Sequence, residues 1–207
     1  FQDKILGKNP GTCNFTVSKD GGDIDAITAS TITSRAYTLA VKKCRGGHSG
    51  LEIHEYRCNA NKALCRILYA LLTQTDVKLL DMEGGSLRNA IPLASFSTIY
   101  IPKKSLADAT EVVSRVFNDI KTEYAQTDPE MELVFEPYKC AEGEVCNHDT
   151  DCAWVPAGDA LRYLHVMLGC PDGVERFSAT VPGLVETSNN MAIVKIEKGE
   201  FTVSGLM

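Results

Sequence analysis

The feature that most constrains the fold is the order of strand-like and helix-like patterns between residues 32 and 137. Apolar, β-branched and aromatic residues alternate with polar ones over residues 32–44, 76–83, 94–101 and 131–136. Apolar residues recur at helical spacing over residues 59–72 and 105–124. The order strand, helix, strand, strand, helix, strand is that of the ferredoxin-like unit. We therefore predict an α+β fold, a ferredoxin-like βαββαβ sandwich with two helices on one face of an antiparallel sheet.

Two helix starts are marked by polar residues. Asn59 and Asn61 lie where the first helix begins, and we interpret both as capping residues. Ser105 stands three residues before Asp108, a spacing that predicts a capping box at the second helix.

The sequence after residue 137 predicts an extension of this core. A leucine pattern over residues 159–168, ended by Gly169, indicates a further helix. Strand-like segments follow at residues 174–180, 184–187, 191–197 and 200–206. The last two segments are predicted to form a C-terminal β-hairpin, with Val194 and Ile196 opposite Phe201 and Val203. We interpret residues 1–207 as a single domain, with a core at 32–137, an extension at 138–207 and a short strand among loops before residue 32.

Composition excludes several classes of function. With a net charge of −6 and scattered basic residues, the chain has no stripe that would suit a nucleic acid. No apolar run approaches the roughly 20 residues that span a bilayer. The sequence begins with Phe1 and shows no export leader, so we expect a piece of a longer protein that does not engage membranes.

Eight cysteines are a high count for 207 residues. Cys13, Cys44, Cys58 and Cys65 lie in or beside apolar periodic segments, where cysteine packs as a small hydrophobic residue. This favours a reducing, cytoplasmic setting over a disulfide scaffold.

The other cysteines include a cluster that could be taken for a metal site. Cys140, Cys146, His148 and Cys152 lie within thirteen residues of one another. Structural zinc sites use pairs of ligands spaced two to four residues apart, and this spacing does not supply them. We expect reduced thiols in a surface loop there, and no metal ligands in this chain.

Residues 45–50 form the first candidate site. They follow a predicted strand, and their glycines allow a turn with positive φ that displays an imidazole beside a hydroxyl. We therefore expect His48 to be exposed. Taken alone, this is weak evidence, since loop histidines are commonly just solvated.

Residues 87–92 form the second candidate site, about forty residues further on. Arg88 and Asn89 place a guanidinium next to a carboxamide, a pair that suits a carboxylate through charge-assisted hydrogen bonds. An Arg-Asn pair before a proline is also ordinary turn chemistry, so the two readings remain open on these residues alone.

Four motifs in register carry a resemblance to a known family. They are Gly-Gly-His-Ser-Gly at residues 46–50, Asn-Ala-Asn-Lys at 59–62, Gly-Gly-Ser-Leu-Arg-Asn-Ala-Ile-Pro at 84–92 and Val-Glu-Thr-Ser-Asn-Asn at 185–190. Together they resemble the aminoacyl-histidine dipeptidases, or Xaa-His dipeptidases, of the carnosinase-like di-zinc metallopeptidases. The resemblance runs from about residue 36 to residue 207.

The resemblance implies a zinc-dependent hydrolase that cleaves dipeptides with a C-terminal histidine. In that family a separate catalytic domain holds two zinc ions through a His-x-Asp motif, a Glu-Glu pair and further ligands. This chain contains neither motif, and none of its four histidines matches those ligands. It therefore resembles the lid or dimerisation domain of such an enzyme, without the catalytic zinc domain, and we expect this chain alone to be inactive.

The resemblance also assigns roles and partners. His48 would donate to the substrate carbonyl oxygen as negative charge develops there, and in related dimers this histidine reaches the partner subunit's active site. Asn89 and Arg88 would hold the carboxylate of the dipeptide. The implied partners are the enzyme's own catalytic domain and a second copy in a homodimer. Two alternatives stay open: a self-associating interaction module, and the lid of a related deacylase or desuccinylase.

Overall fold

Nine strands and three helices make up the part of the chain that this computed structural model describes, residues 34–138 and 154–207. The strands are β1 (Ser34–Lys42), β2 (Gly47–His48), β3 (Lys78–Gly84), β4 (Ala90–Ile91), β5 (Ser95–Pro102), β6 (Glu132–Pro137), β7 (Gly173–Phe177), β8 (Val185–Glu197) and β9 (Glu200–Leu206). The helices are α1 (Ala60–Gln74), α2 (Leu106–Glu123) and α3 (Ala157–Gly169).

Four antiparallel strands build the predicted ferredoxin-like core, in the order β6-β1-β5-β3. The helices α1 and α2 connect β1 to β3 and β5 to β6 and pack against each other. The predicted α+β class and the βαββαβ order are therefore confirmed.

The extension continues this sheet. Strand β8 pairs antiparallel with β3, and β9 pairs with β8, so the sheet grows beyond the edge of the core. Val194 lies opposite Val203 and Ile196 opposite Phe201, as the hairpin prediction required. The prediction of separate strands at 184–187 and 191–197 was wrong, because β8 runs unbroken from Val185 to Glu197 and pairs with β7 at its first half.

The hydrophobic core lies between the sheet and the helices. Its fully buried large side chains come from strands β1, β3, β5 and β8 and from all three helices, and they include Leu39, Leu79, Ile99, Ile196, Leu64, Ile120 and Leu164. Burial of this kind contributes about 1.5–3 kcal/mol for each such side chain. Cys44, Cys58 and Cys65 are buried free thiols within this core, as expected.

The starts of α1 and α2 differ from each other. Asn59 caps α1, because its side-chain oxygen accepts from the backbone N–H groups of Asn61 and Lys62. Asn61 does not cap. It is fully buried, and its amide donates to main-chain carbonyls, including Met191 O at 3.3 Å.

The prediction of a capping box at Ser105, before α2, was wrong, because the Ser105 backbone is αR and its side chain makes no capping bond. A capping residue needs an extended backbone.

Several expectations concern residues outside the described ranges. They are the short strand before residue 32 and the loop with Cys140, Cys146, His148 and Cys152, together with Cys13. Among the helices of the described part, none is long and apolar enough to cross a membrane.

Candidate functional site

The two candidate stretches lie side by side. Strand β2 pairs antiparallel with β4, so that His48 stands opposite Ala90 and Gly47 opposite Ile91. The N–H of Ser49 also donates to the carbonyl oxygen of Asn89 at 2.9 Å. This short ladder brings the His48 turn against the loop that carries Arg88 and Asn89.

The imidazole of His48 has a defined orientation on an exposed turn. Its Nδ1 accepts hydrogen bonds from the N–H of Gly50 at 3.0 Å and from the N–H of Leu51 at 3.2 Å. Because Nδ1 is an acceptor, the proton of the neutral ring resides on Nε2. The turn therefore presents an N–H donor outward, and the predicted exposure of His48 is confirmed.

The neighbouring hydroxyl is not presented in the same way. Ser49 is buried, with 4% of its surface exposed, and its Oγ has no hydrogen-bond partner within the described ranges. The prediction that the turn displays a hydroxyl beside the imidazole was therefore wrong. Ser49 instead turns its side chain inward while its backbone holds Asn89.

Two glycines make the turn possible. Gly46 has φ +63° and Gly47 has φ +140°, conformations that strain residues with a Cβ. A Cβ on Gly46 would lie 3.0 Å from the carbonyl oxygen of Ile91, and one on Gly47 would lie 2.7 Å from the carboxylate of Glu52. A side chain at Gly46 would push the turn away from β4, and a side chain at Gly47 would collide with Glu52.

Sequence reasoning missed the side chains that surround this turn. Glu52 accepts the N–H of His48 through Oε2 at 2.7 Å, and Arg57 donates to the other oxygen of Glu52 at 2.8 Å. These hydrogen bonds, that of His48 first, hold the pKa of Glu52 below its usual value. Bonds to Glu55 and Glu52 raise the pKa of Arg57. Both groups are charged at neutral pH.

The base of the loop is closed by a buried carboxylate. Asp128, 2% exposed, accepts the N–H of Arg45 at 2.6 Å and the N–H of Cys58 at 2.8 Å. One residue thus joins both ends of the segment that contains His48. No local pattern in the sequence marks this contact, since Asp128 follows α2 far along the chain.

Arg88 and Asn89 extend from the other side of the ladder. Both are exposed, and within residues 34–138 and 154–207 their side chains make no hydrogen bond or ion pair. Their backbone is held: Asn89 accepts from Ser49, and Asn190 donates its amide to the carbonyl oxygen of Ala90 at 2.9 Å. A fixed backbone with unpaired polar side chains is a suitable arrangement for binding an anion.

A cavity of about 710 Å³ adjoins the ladder. Its wall includes Gly47 and Ala90 from the ladder, and Leu87, Leu93 and Phe96 supply its apolar surface. The cavity is large enough for a small molecule. It does not include His48, Arg88 or Asn89 in its lining.

The described residues do not fit a metal ion. No group of three or more His, Cys, Asp or Glu side chains comes together in residues 34–138 and 154–207. His48 already uses Nδ1 for two backbone N–H groups, and His165 lies at the surface of α3 with its ring 5.2 Å from that of Tyr69. The zinc ions that the resemblance implies find no ligand set here.

Comparisons with known proteins find peptidase relatives. Residues 39–128 match the family described as the peptidase dimerisation domain. Over 176 residues the chain is 34% identical to the cytosol non-specific dipeptidase of Escherichia coli (strain K12). This alignment covers 83% of this chain and 33% of that protein. These matches support a dimerisation domain of the dipeptidase family.

A solved structure agrees with this assignment. The dimerisation domain superposes on the crystal structure of aminoacylhistidine dipeptidase from Vibrio alginolyticus with a TM-score of 0.70 and 31% sequence identity. The match covers 87% of this chain and 34% of that one. The chain thus spans about a third of the length of both relatives. The resemblance drawn from four sequence motifs is confirmed at the level of a dipeptidase-family dimerisation domain.

Proposed function

We propose that this dimerisation domain is part of a zinc-dependent Xaa-His dipeptidase, which hydrolyses dipeptides with a C-terminal histidine. The name of one relative, a cytosol non-specific dipeptidase, supports dipeptides as substrates, and the name of the other, an aminoacylhistidine dipeptidase, supports a C-terminal histidine. In this proposal the domain supplies groups that contact the substrate, and the catalytic zinc ions are held by a catalytic domain of the same enzyme.

The orientation of His48 is the observation that carries the proposal. Its Nε2–H faces outward because Nδ1 is occupied by Gly50 and Leu51. A fixed N–H donor stabilises the oxygen of a peptide carbonyl as that oxygen gains negative charge in the transition state. His48 is the group we assign to this role, acting on the active site of its own or the partner subunit.

Arg88 and Asn89 are assigned to the carboxylate of the dipeptide. The guanidinium can give two charge-assisted hydrogen bonds and the carboxamide a third. Because the β2–β4 ladder fixes the Asn89 backbone against Ser49, these groups stand at a set separation from the His48 turn. Such an arrangement would select substrates in which the scissile carbonyl and the C-terminal carboxylate are a dipeptide's distance apart.

The remaining parts of the proposal follow from the family. The enzyme would be a cytoplasmic homodimer, and the 207-residue chain alone would be inactive because its described residues contain no metal ligand set.

The test measures turnover of two dipeptides by the full-length enzyme and by the isolated 207-residue chain. The full-length enzyme, supplied with zinc, should cleave a dipeptide that ends in histidine faster than the same dipeptide amidated at its C-terminus. The isolated 207-residue chain should show no turnover and no stoichiometric metal. Absence of dipeptidase activity in the full-length protein, or turnover with about two metals bound to this chain alone, would contradict the proposal.

A further inference from the structure

A buried guanidinium crosses the loop that carries His48. The side chain of Arg57 is 8% exposed. Its Nη1 donates to the carbonyl oxygen of Gly46 at 2.5 Å, and its Nη2 donates to Oε1 of Glu52 at 2.8 Å. One side chain thus joins the backbone two residues before His48 to a carboxylate four residues after it.

Glu52 transmits this restraint to His48. Its Oε2 accepts the N–H of His48 at 2.7 Å, and its own N–H donates to the carbonyl oxygen of His48 at 2.9 Å. Both polar groups of the His48 backbone are therefore bound by a single residue. Because Arg57 holds Oε1, the carboxylate cannot rotate away from His48 without breaking the ion pair.

Arg57 uses four of its five N–H donors for groups of its own loop. Glu55 Oε2 accepts from Nε at 3.0 Å and from Nη2 at 2.6 Å, so that all three nitrogens of the guanidinium are engaged within the loop. We therefore expect Arg57 to affect a bound peptide through the loop rather than by direct contact. This distinguishes it from Arg88, which is exposed.

We propose that Arg57, acting through Glu52, is a positioning residue that holds the His48 turn in its reactive orientation. The inference rests on the proposed role of His48. A catalytic group displaced by about 1 Å can cost roughly 10²-fold in rate. Loss of Arg57 should therefore lower kcat by about 10- to 100-fold. KM should change little, because the groups assigned to the carboxylate lie on the other loop.

The experiment is a double-mutant cycle in the full-length enzyme. Arg57→Met replaces the guanidinium by an apolar chain, and it is measured alone and together with His48→Ala. Arg66→Met is the matched control, since Arg66 forms an exposed ion pair with Glu123 at 2.7 Å on the surface of α1. If Arg57 acts through His48, Arg57→Met lowers kcat in the natural background and adds nothing in the His48→Ala background.

The alternatives are separable. Equal losses from Arg57→Met in both backgrounds would overturn the inference, since Arg57 would then act independently of His48. If that variant does not fold, Glu52→Gln replaces it in the same cycle, because it keeps the shape of the side chain and removes its charge. If His48→Ala lowers kcat as expected while Arg57→Met and Glu52→Gln leave kcat unchanged, this inference alone would be overturned. An unchanged kcat for His48→Ala would overturn the role proposed for His48 as well, whereas absence of dipeptidase activity in the full-length enzyme would overturn the proposed function.

Discussion

The carboxylate of Asp128 accepts a hydrogen bond from the N–H of Cys58 at 2.8 Å, across 70 positions of sequence. Its other oxygen binds the N–H of Arg45, so this buried group closes the loop that presents His48. The connection after α2 is thereby part of the support for the candidate site.

Removing this carboxylate should destabilise the domain. Asp128→Ala leaves the buried N–H of Cys58 and the part-buried N–H of Arg45 without an acceptor, and we expect the free energy of unfolding to fall by about 1–3 kcal/mol. Urea unfolding measures the change. The control is Asp119→Ala, an exposed position on α2, which should stay within about 0.5 kcal/mol. Equal stabilities for the two variants would contradict the role of Asp128.

The ion pair between Glu52 and Arg57 predicts that the contact of Glu52 with His48 depends on pH. The pKa of Glu52 is lowered in the folded state by the His48 N–H and by Arg57. A lowered carboxyl pKa gives stabilisation that is fully present above the ordinary glutamate pKa of 4.5 and is lost as pH falls through the folded-state pKa. The His48 amide resonance should therefore titrate below pH 4.5 in an NMR series and lose that titration in Glu52→Gln. A titration at or above 4.5 would show that the contact is absent in solution.

The fold was predictable where local pattern and tertiary packing agree. Strands β1, β3 and β5 carry buried apolar side chains such as Leu39, Leu79 and Ile99, and α1 buries one face, so their apolar patterns show in the sequence. The unbroken β8 was missed because its polar residues suggested a break. In the structure the side-chain N–H of Asn190 donates to Ala90 O, so this buried polar residue has a partner for its donor within the strand.

The candidate site was predictable only in its outline. The glycines and His48 are marked by local turn chemistry, and His48 is exposed as expected. The contacts of Arg57 and Glu52 lie inside a loop without periodicity, and those of Asp128 span 70 or more positions. Contacts of this kind depend on how elements meet in three dimensions.

The prediction for Ser105 failed for a local reason. A 3-10 turn, Lys103–Ser105, precedes α2 and fixes the Ser105 backbone as αR.

The C-terminal hairpin depends on its turn glycine. Gly199 has φ +82°, and a Cβ there would meet no atom within 4 Å, so only the backbone conformation disfavours a side chain. Gly199→Ala should cost about 1 kcal/mol in unfolding free energy. Gly158→Ala is the matched control, because Gly158 is also unobstructed but lies in α3 without a positive φ. It should be neutral or stabilising, and a similar loss for both would contradict this explanation.

The assignment of Arg88 and Asn89 predicts a selective effect on binding. Arg88→Ala and Asn89→Ala should each raise KM about tenfold for a dipeptide with a free carboxylate. The two variants should differ little from the natural enzyme on the amidated dipeptide, which lacks the charged group. Arg115→Ala, an exposed arginine on α2 bonded to Gln74, serves as the control. Equal increases of KM on both substrates would exclude a carboxylate contact.

The most direct test of the account is the kcat of His48→Ala in the full-length enzyme, measured beside His54→Ala. Both histidines are exposed and belong to the same loop, but only His48 has its Nδ1 fixed by two backbone N–H groups. The account predicts that His48→Ala lowers kcat by about 10²- to 10³-fold and that His54→Ala leaves it unchanged. A kcat for His48→Ala equal to that of His54→Ala would contradict the central claim.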